Sequence, residues 1–495
     1  MKVKNPVIKG FYPDPSVCFA NGKFYMVCSS FQYFPAIPLF ESEDLINWSQ
    51  IGYVLTRHEQ VMLDKINSSG GIFAPTIRFN KGRFYVVTTN DTTRQNFYVY
   101  TDDIYGPWSD PIYVDQGGID PSLYFEKNKA YFMSNGEDDN GVGGVVQCEI
   151  DIATGKKVSE SKCIWQGSGG RFLESPHLYK VGKWYYLMAA EGGTEYGHMI
   201  TCARSRSLWG RYSRNPNNPV LSNRNKAPYI IQGIGHGDLI QDLDGSWYIL
   251  SLGFRQIHLW MPFHNLGREV FITPVKFGED GWFTAGNDGT TEEFYDLNKD
   301  VEQTEKTHYT FENTRWDVDW SYMRFPDSKN YELSDDKAVL KGTAITLDEA
   351  DSPTFLALRQ KEFNLSMSAE VELEGTGEAG FTVYMCENEH YEVAIRRNEN
   401  AYEAVLKLNI GGIKHVQKTI PLSSGKAELT VQADNFSYSF YFREEGAVIK
   451  TTLGYGYAKY LTSEVSGGFT GVMLGMYAVG DCKGSFTNFA LDYKL

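Results

Sequence analysis

The sequence predicts an all-β protein in which a five-bladed β-propeller is followed by a C-terminal antiparallel β-sandwich of jelly-roll, lectin-like type. Three observations lead to this prediction. A self-similar unit occurs five times in the first part of the chain, alternating strands fill the second part, and helical patterns are scarce throughout. A unit that recurs at nearly regular spacing is the signature of a repeat architecture. The chain of 495 residues is long enough for two such domains.

Each unit begins with a short motif that contains a proline or a glycine. The fullest copies are Asp14-Pro15-Ser16 and Asp120-Pro121-Ser122, and shorter copies occur at Ala74-Pro75, Ser175-Pro176 and His236-Gly237. In the first four units a tyrosine lies ten residues after the proline (15 to 25, 75 to 85, 121 to 131, 176 to 186). This constant spacing indicates that the units share one structure.

Four strands are indicated within each unit. The motif leads into a strand, a glycine or asparagine turn and an aromatic strand, which is typical of a β-hairpin. Three units contain a second turn pattern, at 42–48, 101–108 and 205–212, which indicates an outer hairpin. Five units of four strands predict a five-bladed propeller. The alternative is a β-sandwich with coincidental Asp-Pro turns, which does not explain the regular spacing.

The sequence changes in character near residue 300, which indicates a domain boundary. Residues 1–297 contain the five units, residues 298–309 are a polar linker, and residues 310–495 show the alternating strands of a sandwich. The strand-like residues 6–8 are candidates for joining the two ends of the propeller in one blade. Because the linker is short and lacks the composition of a flexible tether, we expect the sandwich to be packed on the propeller.

Composition limits the classes of partner and indicates a compartment. The formal net charge of −15 argues against nucleic acid or an anionic membrane, and no run of apolar residues is long enough to span a bilayer. No apolar signal segment follows the N-terminal methionine. The seven cysteines form no Cys-x-x-Cys pair, so we expect them to be reduced and buried in a cytoplasmic protein. The sequence does not indicate an oligomeric state.

Three carboxyl groups are expected to meet in one pocket. Asp14 and Asp120 occupy the same position in units one and three, and Glu174 lies two residues before Pro176 in unit four. Each Asp taken alone is explained by a turn, because Asp-Pro is a common turn dipeptide. The propeller symmetry, however, brings all three to the central axis. Crowded carboxyls raise each other's pKa, which gives the protonated acid and ionised base used in glycoside hydrolysis.

Aromatic residues close to these motifs are candidates for stacking on sugar rings, whereas most strand aromatics belong to the core. The candidates are Phe11, Tyr12, Phe31, Phe34, Phe73 and Phe172. A site that combines carboxyls with aromatic rings favours a carbohydrate ligand.

Seven segments, taken in order, resemble glycoside hydrolase family 43, and most closely its two-domain β-xylosidases and α-L-arabinofuranosidases. They are Phe11-Tyr12-Pro13-Asp14-Pro15-Ser16, Gly70-Gly71-Ile72-Phe73-Ala74-Pro75, Gly118-Ile119-Asp120-Pro121-Ser122, Glu174-Ser175-Pro176-His177, Glu191-Gly192-Gly193-Thr194, Gly235-His236-Gly237-Asp238 and Leu266-Gly267-Arg268-Glu269. The resemblance extends into the sandwich through residues 352–356 and 378–381. Any one motif is weak, but the ordered set is specific.

The resemblance implies an inverting exo-acting hydrolase with defined residue roles. Asp14 would be the general base, Glu174 the general acid, and Asp120 the residue that tunes and orients the acid. The implied substrate contacts are Phe31, Phe73, Thr194, His236 and Arg268. No cofactor is implied as a requirement, but some relatives hold a calcium ion at the propeller axis near the equivalent of His236, through water.

The resemblance also implies that an aromatic residue of the sandwich touches the sugar pocket, and residues 476–481 are the loop that we expect to reach it. Two features depart from the family pattern. Many relatives have Trp where Phe73 stands, and the stretch 57–69 is hard to align, which leaves Arg57 open as a sugar contact. Both departures concern fine specificity.

Other functions are weighed against a hydrolase that removes terminal β-D-xylosyl or α-L-arabinofuranosyl residues from xylan- or arabinoxylan-derived oligosaccharides. The retaining, fructan-cleaving propeller enzymes share the layout, but their Asn-Asp-Pro-Asn-Gly signature is missing. A non-catalytic sugar-binding protein does not need three crowded carboxyls. An endo-acting arabinanase or xylanase needs an open groove, whereas a packed second domain favours a closed pocket. The choice between xylose and arabinofuranose stays open.

Overall fold

A computed structural model describes residues 2–226, 228–297, 299, 301–399 and 401–494. It contains five four-stranded antiparallel sheets followed by a sandwich, so the predicted all-β fold class is confirmed. Short helical turns occur at His58–Gln60, Ser328–Asn330, Ala458–Tyr460 and Ser463–Ser466. Within these ranges, no helix has both the length and the apolar character to cross a membrane.

In the residues that the structure describes, the propeller region contains 23 strands in chain order. They are β1 (Lys2–Lys4), β2 (Ser16–Ala20), β3 (Lys23–Val27), β4 (Tyr33–Phe34), β5 (Ala36–Ser42), β6 (Ser49–Leu55), β7 (Thr76–Asn80), β8 (Arg83–Asn90), β9 (Gln95–Thr101), β10 (Ile112–Tyr113), β11 (Ile119–Glu126), β12 (Lys129–Glu137), β13 (Gly143–Ile150), β14 (Lys162–Trp165), β15 (Glu174–Val181), β16 (Trp184–Glu191), β17 (Met199–Ser205), β18 (Ser213–Arg214), β19 (Ile231–Gln241), β20 (Trp247–Arg255), β21 (Glu269–Phe277), β22 (Phe283–Ala285) and β23 (Phe294–Asp296).

Each blade is built from strands that are consecutive in the chain, apart from β4. The blades are β2-β3-β5-β6, β7 to β10, β11 to β14, β15 to β18 and β19 to β22. The turn patterns at 42–48, 101–108 and 205–212 connect the third and fourth strands of their blades, as the sequence predicts. The inner strand of every blade therefore begins at one of the five repeated motifs or contains it.

Closure of the ring differs from the sequence-based expectation. The two ends of the propeller do not share one blade, because residues 231–285 supply all four strands of the fifth blade. Instead β1 pairs with β23, from Lys2 opposite Asp296 to Lys4 opposite Phe294. The backbone N–H of Val7 donates to the Val270 carbonyl at 2.8 Å, which adds residues 6–8 beside the start of β21.

A buried ion pair ties the inner strands of four blades together at the axis. The fully buried carboxylate of Asp238 in β19 accepts hydrogen bonds from Arg78 in β7 at 2.7 Å and from Ser16 in β2 at 2.7 Å. The hydroxyl of Tyr179 in β15 also donates to Asp238, and Arg78 contacts His177 Nδ1 at 2.9 Å. A buried charge pair with this many hydrogen bonds fixes the relative positions of the blades.

The sandwich contains the remaining strands. They are β24 (His308–Thr310), β25 (Ser321–Met323), β26 (Tyr331–Leu333), β27 (Lys337–Lys341), β28 (Thr354–Arg359), β29 (Leu365–Cys386), β30 (Glu389–Asn398), β31 (Ala401–Ile410), β32 (Ile413–Leu422), β33 (Lys426–Ala433), β34 (Ser437–Glu444), β35 (Thr451–Tyr457) and β36 (Met473–Tyr493). The long strands β29 and β36 pair along most of their length, and both contribute residues to an extensive apolar core.

The two domains are joined by strand pairing and by a linker that is bonded to the propeller. β4, which lies between two strands of the first blade, pairs with β25 of the sandwich. Of the predicted linker 298–309, Asn298 and Asp300 lie outside the described residues. Lys299 forms an ion pair with Asp242, and the N–H of Thr304 donates to Asn47 Oδ1 at 2.9 Å. These bonds hold the connection against the propeller.

Candidate active site

A cavity of about 340 Å³ lies where the inner strands begin. Its lining residues are Asp14, Phe31, Phe73, Ala74, Ile119, Asp120, Arg171, Phe172, Glu174, Gly193, Thr194, Glu195, His198, His236, Arg268 and Phe469. The cavity thus brings together the three carboxyls and all five substrate contacts that the sequence suggests. One lining residue, Phe469, comes from the sandwich.

Strained backbone at the repeated motifs places these side chains. The residue before the motif's proline or glycine has a positive φ in four units: Asp14 (58°), Asp120 (53°), Ser175 (56°) and His236 (38°). Register shifts accompany the motifs in β11, β15 and β19. Non-glycine residues rarely adopt this conformation, and bulges turn a side chain away from its regular direction. The strained backbone therefore changes the direction in which the functional side chains point.

Asp14 is surrounded by groups that stabilise its charge. Ser29 Oγ donates to Asp14 Oδ2 at 2.5 Å, Arg268 Nη1 donates to Oδ1 at 3.4 Å, and His236 Nδ1 lies 3.3 Å from Oδ1. Burial raises the pKa of this carboxyl, but Arg268, His236 and the Ser29 hydrogen bond outweigh burial and hold the pKa below its usual value. Asp14 is thus an ionised carboxylate at neutral pH.

The pKa values of Glu174 and Asp120 are shifted in the opposite direction to that of Asp14. Burial and the nearby Asp14 charge raise the pKa of Glu174 to about 7. Burial and the neighbouring Glu174 and Asp14 raise the pKa of Asp120 well above its usual value. Carboxyls crowded in a buried pocket cannot all ionise, so this pair retains a proton near neutral pH. The site combines an ionised base with a protonated acid.

Arg268 connects the carboxyls with the walls of the pocket. Its Nη1 donates to Thr194 Oγ1 at 2.7 Å and its Nη2 donates to the Phe469 carbonyl at 3.0 Å. The guanidinium lies 5.8 Å from the ring centre of Phe31 and 5.5 Å from that of Phe469. Its position beside Asp14 leaves it close to any ligand that fills the cavity.

Three phenylalanines form an apolar wall. The ring centres of Phe31 and Phe73 are 5.3 Å apart, and Phe469 lies 5.8 Å from Phe31 and 5.9 Å from Phe73. Phe469 is held by its N–H, which donates to Ser69 Oγ at 2.8 Å. Such a wall offers ring faces to the apolar C–H face of a sugar.

Two family models cover most of the chain. Residues 3–283 match the model of Glycosyl hydrolases family 43, and residues 308–493 match the beta xylosidase C-terminal concanavalin A-like domain. The chain belongs to glycosyl hydrolase family 43. The protein is therefore a glycoside hydrolase, which confirms both the resemblance and the enzyme class suggested by the sequence.

Relatives of this family 43 enzyme match it over nearly its whole length. A non-reducing end α-L-arabinofuranosidase of Bacteroides ovatus is 38% identical over 97% of this chain and 91% of its own. A xylosidase/arabinosidase of Butyrivibrio fibrisolvens is 34% identical over 97% and 96%. A crystal structure of a xylan β-1,4-xylosidase from Bacillus halodurans is 28% identical and covers all of both chains with a TM-score of 0.91.

The mouth of the family 43 pocket carries a polar and aromatic rim. Phe172 is 58% exposed, and the Arg171 guanidinium lies 5.2 Å from its ring centre. Arg171 also forms an ion pair with Glu195. Of the six aromatics that the sequence suggests, Phe31, Phe73 and Phe172 line the cavity, whereas Phe11, Tyr12 and Phe34 do not.

Four lining residues were not predicted from the sequence, namely Arg171, Glu195, His198 and Phe469, and one segment lies elsewhere than predicted. Residues 476–481 are not a loop at the rim, because they lie inside β36, where pairing with β28 and β29 fixes them. Phe469, in the connection before β36, reaches the pocket instead. His198 is a buried neighbour of His236, and burial lowers its pKa to about 3, so its ring is neutral. Neither residue belongs to a repeated motif that could have pointed to it.

The residues near His236 do not fit a directly bound calcium ion. Calcium prefers several oxygen ligands. The carboxylates nearest to His236 are Asp14 and Asp120, and the axial Asp238 is already paired with the Arg78 guanidinium. Among the described residues no group of three or more His, Cys, Asp or Glu could hold a metal ion together. We assign no chemical step to a metal, and the water-held calcium ion stays a prediction.

Proposed function

We propose that this enzyme is an inverting exo-glycoside hydrolase that releases terminal β-D-xylosyl or α-L-arabinofuranosyl residues, or both, from xylan- or arabinoxylan-derived oligosaccharides. The observation that carries the proposal is the pairing of Asp14, whose pKa is lowered, with Glu174, whose pKa is raised to about 7, in one buried cavity. The names of the relatives, which include arabinofuranosidase and β-xylosidase activities, support the sugar class.

In the proposed mechanism, Asp14 and Glu174 each transfer one proton. Asp14 accepts a proton from a water molecule, whose oxygen attacks the anomeric carbon from the side opposite the leaving group. Glu174 donates its proton to the glycosidic oxygen as the bond to the anomeric carbon breaks. Asp120 helps to keep Glu174 protonated and oriented before the reaction. The water supplies the hydroxyl of the released sugar, and the configuration is inverted.

The form of the cavity supports exo action. Its volume of about 340 Å³ lies at the lower end of the range of ligand sites, which suits one terminal sugar residue better than an extended chain. Phe469 from the sandwich closes one side of the cavity. Inverting enzymes leave room for a water molecule, so we expect the Asp14 and Glu174 carboxyls to lie roughly 6.5–9.5 Å apart in a sugar complex.

A panel of aryl glycosides tests the proposed function. We expect the purified protein to hydrolyse 4-nitrophenyl β-D-xylopyranoside, 4-nitrophenyl α-L-arabinofuranoside or both, and xylo-oligosaccharides to be shortened by one residue at a time. Glucosides and galactosides are the controls. Absence of turnover on both pentosides, or release of internal fragments from xylan or arabinan, would contradict the proposal.

We also propose a cytoplasmic location. All seven cysteines are free thiols, five of them buried, although Cys163 and Cys386 are more exposed than the sequence suggested. Free thiols are typical of a reducing compartment. Detection of the native protein in the culture medium or in a membrane fraction would contradict this proposal.

A further inference from the structure

A buried arginine of the sandwich lies directly behind the segment that carries Asp14. Arg359 is the last residue of β28 and is 2% exposed. Within the described part of the chain, no carboxylate lies within ion-pair distance of it. A buried guanidinium without a carboxylate is costly, because burial removes water and no opposite charge replaces it. Such a cost suggests that the residue meets a functional need.

The Arg359 side chain contacts two consecutive propeller residues, Phe11 and Tyr12, and also interacts with Tyr53 of β6. Its Nε donates to the Phe11 carbonyl at 2.9 Å, and its guanidinium lies 4.6 Å from the ring centre of Tyr12 and 5.6 Å from that of Phe11. Its Nη1 donates to Ser321 Oγ of β25 at 2.9 Å. Ser321 thus braces the guanidinium from within the sandwich.

The segment from residue 10 to residue 14 is held between the two domains. On the sandwich side, Gly10 (φ 85°) lies so close to the Gln360 carbonyl that an added Cβ would come within 2.7 Å of it. On the propeller side, the Tyr12 N–H donates to the Arg268 carbonyl at 3.0 Å. The strained Asp14 follows two residues later. Removing the support on one side would allow the segment to relax.

We infer that Arg359 is a positioning residue for Asp14, through which the sandwich fixes the backbone that carries the general base. The inference rests on the proposed function, in which Asp14 activates water. It gives the sandwich a second part in the site besides the Phe469 wall.

The alternative explanation is that Arg359 only holds the two domains together. A second arginine of the sandwich, Arg324, has the contacts expected for that role. Arg324 is also fully buried and donates to a propeller carbonyl, that of Ile66, at 2.7 Å. Unlike Arg359, it is neutralised by an ion pair with Glu387. Its contacts do not include the segment before Asp14. Arg324 is therefore a matched control for loss of a buried interdomain guanidinium.

The test compares Arg359→Met with Arg324→Met in the full-length protein. For Arg359→Met we expect kcat to fall about 10- to 100-fold with little change in KM, because small displacements of a catalytic group are costly. The low-pH fall of kcat/KM should move to higher pH, since Asp14 loses its alignment with Ser29 and Arg268. The loss should be equal for good and poor leaving groups. Arg324→Met should lower Tm while leaving kcat and the pH profile of the folded protein unchanged.

An Arg359→Met protein with the kcat and low-pH limb of the parent would overturn the inference. If Arg359→Met does not fold, Ser321→Ala removes the brace alone, and a smaller loss in the same direction is expected. An unchanged pH profile in Ser321→Ala would then overturn the inference. Failure of the proposed function is recognised separately, because it would leave Asp14→Ala active. An inactive Asp14→Ala together with a normal Arg359→Met would refute the role of Arg359 alone.

Discussion

The site depends on local environments that lower the pKa of Asp14 and raise the pKa of Glu174. Asp14 lies beside Arg268 and Ser29, whereas Glu174 is largely buried near the Asp14 charge. These differences assign a base and an acid to chemically similar groups.

Substitution of the two carboxyls should separate their roles. Asp14→Ala should lower kcat about 10²- to 10⁴-fold on every substrate, because no other group activates the water. Glu174→Ala should lower it least on aryl glycosides with very good leaving groups, which need little protonation. Steady-state kinetics on a series of substituted aryl xylosides measures both effects. Equal losses across the series for Glu174→Ala would contradict its assignment as the acid.

The pH dependence of kcat/KM follows from the same residues. Glu174 must be protonated, so activity should fall as pH rises through about 7. Asp14 must be ionised, so activity should fall only at pH values below the usual range of an aspartate. The expected profile is a broad bell with a high-pH limb near neutrality. A high-pH limb that persists unchanged in Glu174→Gln, measured on an activated substrate, would assign the limb to another group.

How far the sequence predicted these residues depends on the repeat. Asp14, Asp120 and Glu174 could be placed in one pocket because equivalent positions of a propeller meet at its axis. Phe469 could not, because it lies in an irregular connection of the sandwich and reaches the site only through the docking of two domains. A pattern within one chain segment carries no information about such docking.

In the sandwich, pairing between long strands determines the path of the backbone more strongly than local strand propensity does. Gly375 and Gly377 lie close together in the sandwich sequence, and glycines in a strand interior locally favour a break. Both glycines instead continue β29 in unusual conformations, where a Cβ would meet the β36 carbonyls of Asp481 at 2.4 Å and Val479 at 2.2 Å. The long partner strand stabilises a path that local propensity disfavours.

The axial ion pair should dominate the stability of the propeller. Asp238→Asn leaves the mostly buried Arg78 guanidinium without its charge partner, which costs about 3–5 kcal/mol of unfolding free energy. The control is Asp102→Asn, which removes the partner of Arg83 in an exposed ion pair and should change Tm little. Thermal and denaturant unfolding measure both. Similar Tm values for the two variants would contradict the role of the axial pair.

At the scale of the whole molecule, the pocket is a product of both domains. The propeller supplies the carboxyls, and the sandwich supplies Phe469. Pairing of β4 with β25 joins the two domains, and the linker is hydrogen-bonded to the propeller. The sandwich is thus part of the site's architecture and not a separate sugar-binding module on a tether.

Loss of the Phe469 ring, which the sandwich supplies to the pocket, should lower the activity. We expect Phe469→Ala to lower kcat/KM at least about 10-fold, as for a central aromatic contact in a binding site. Tyr457→Ala, which removes an exposed aromatic of the same domain, is the control.

Truncation after Lys299 should give an insoluble or nearly inactive propeller. A soluble truncated protein with unchanged turnover of aryl glycosides would contradict this view.

Proton NMR of the first sugar released tests the inverting mechanism most directly. We expect hydrolysis of a β-xyloside to yield α-xylose first, or hydrolysis of an α-arabinofuranoside to yield the β-anomer first, before mutarotation equilibrates the two forms. This result would place a water molecule between Asp14 and the anomeric carbon. First release of the anomer with the configuration of the substrate would show a covalent intermediate and contradict the assignment of Asp14 as a general base.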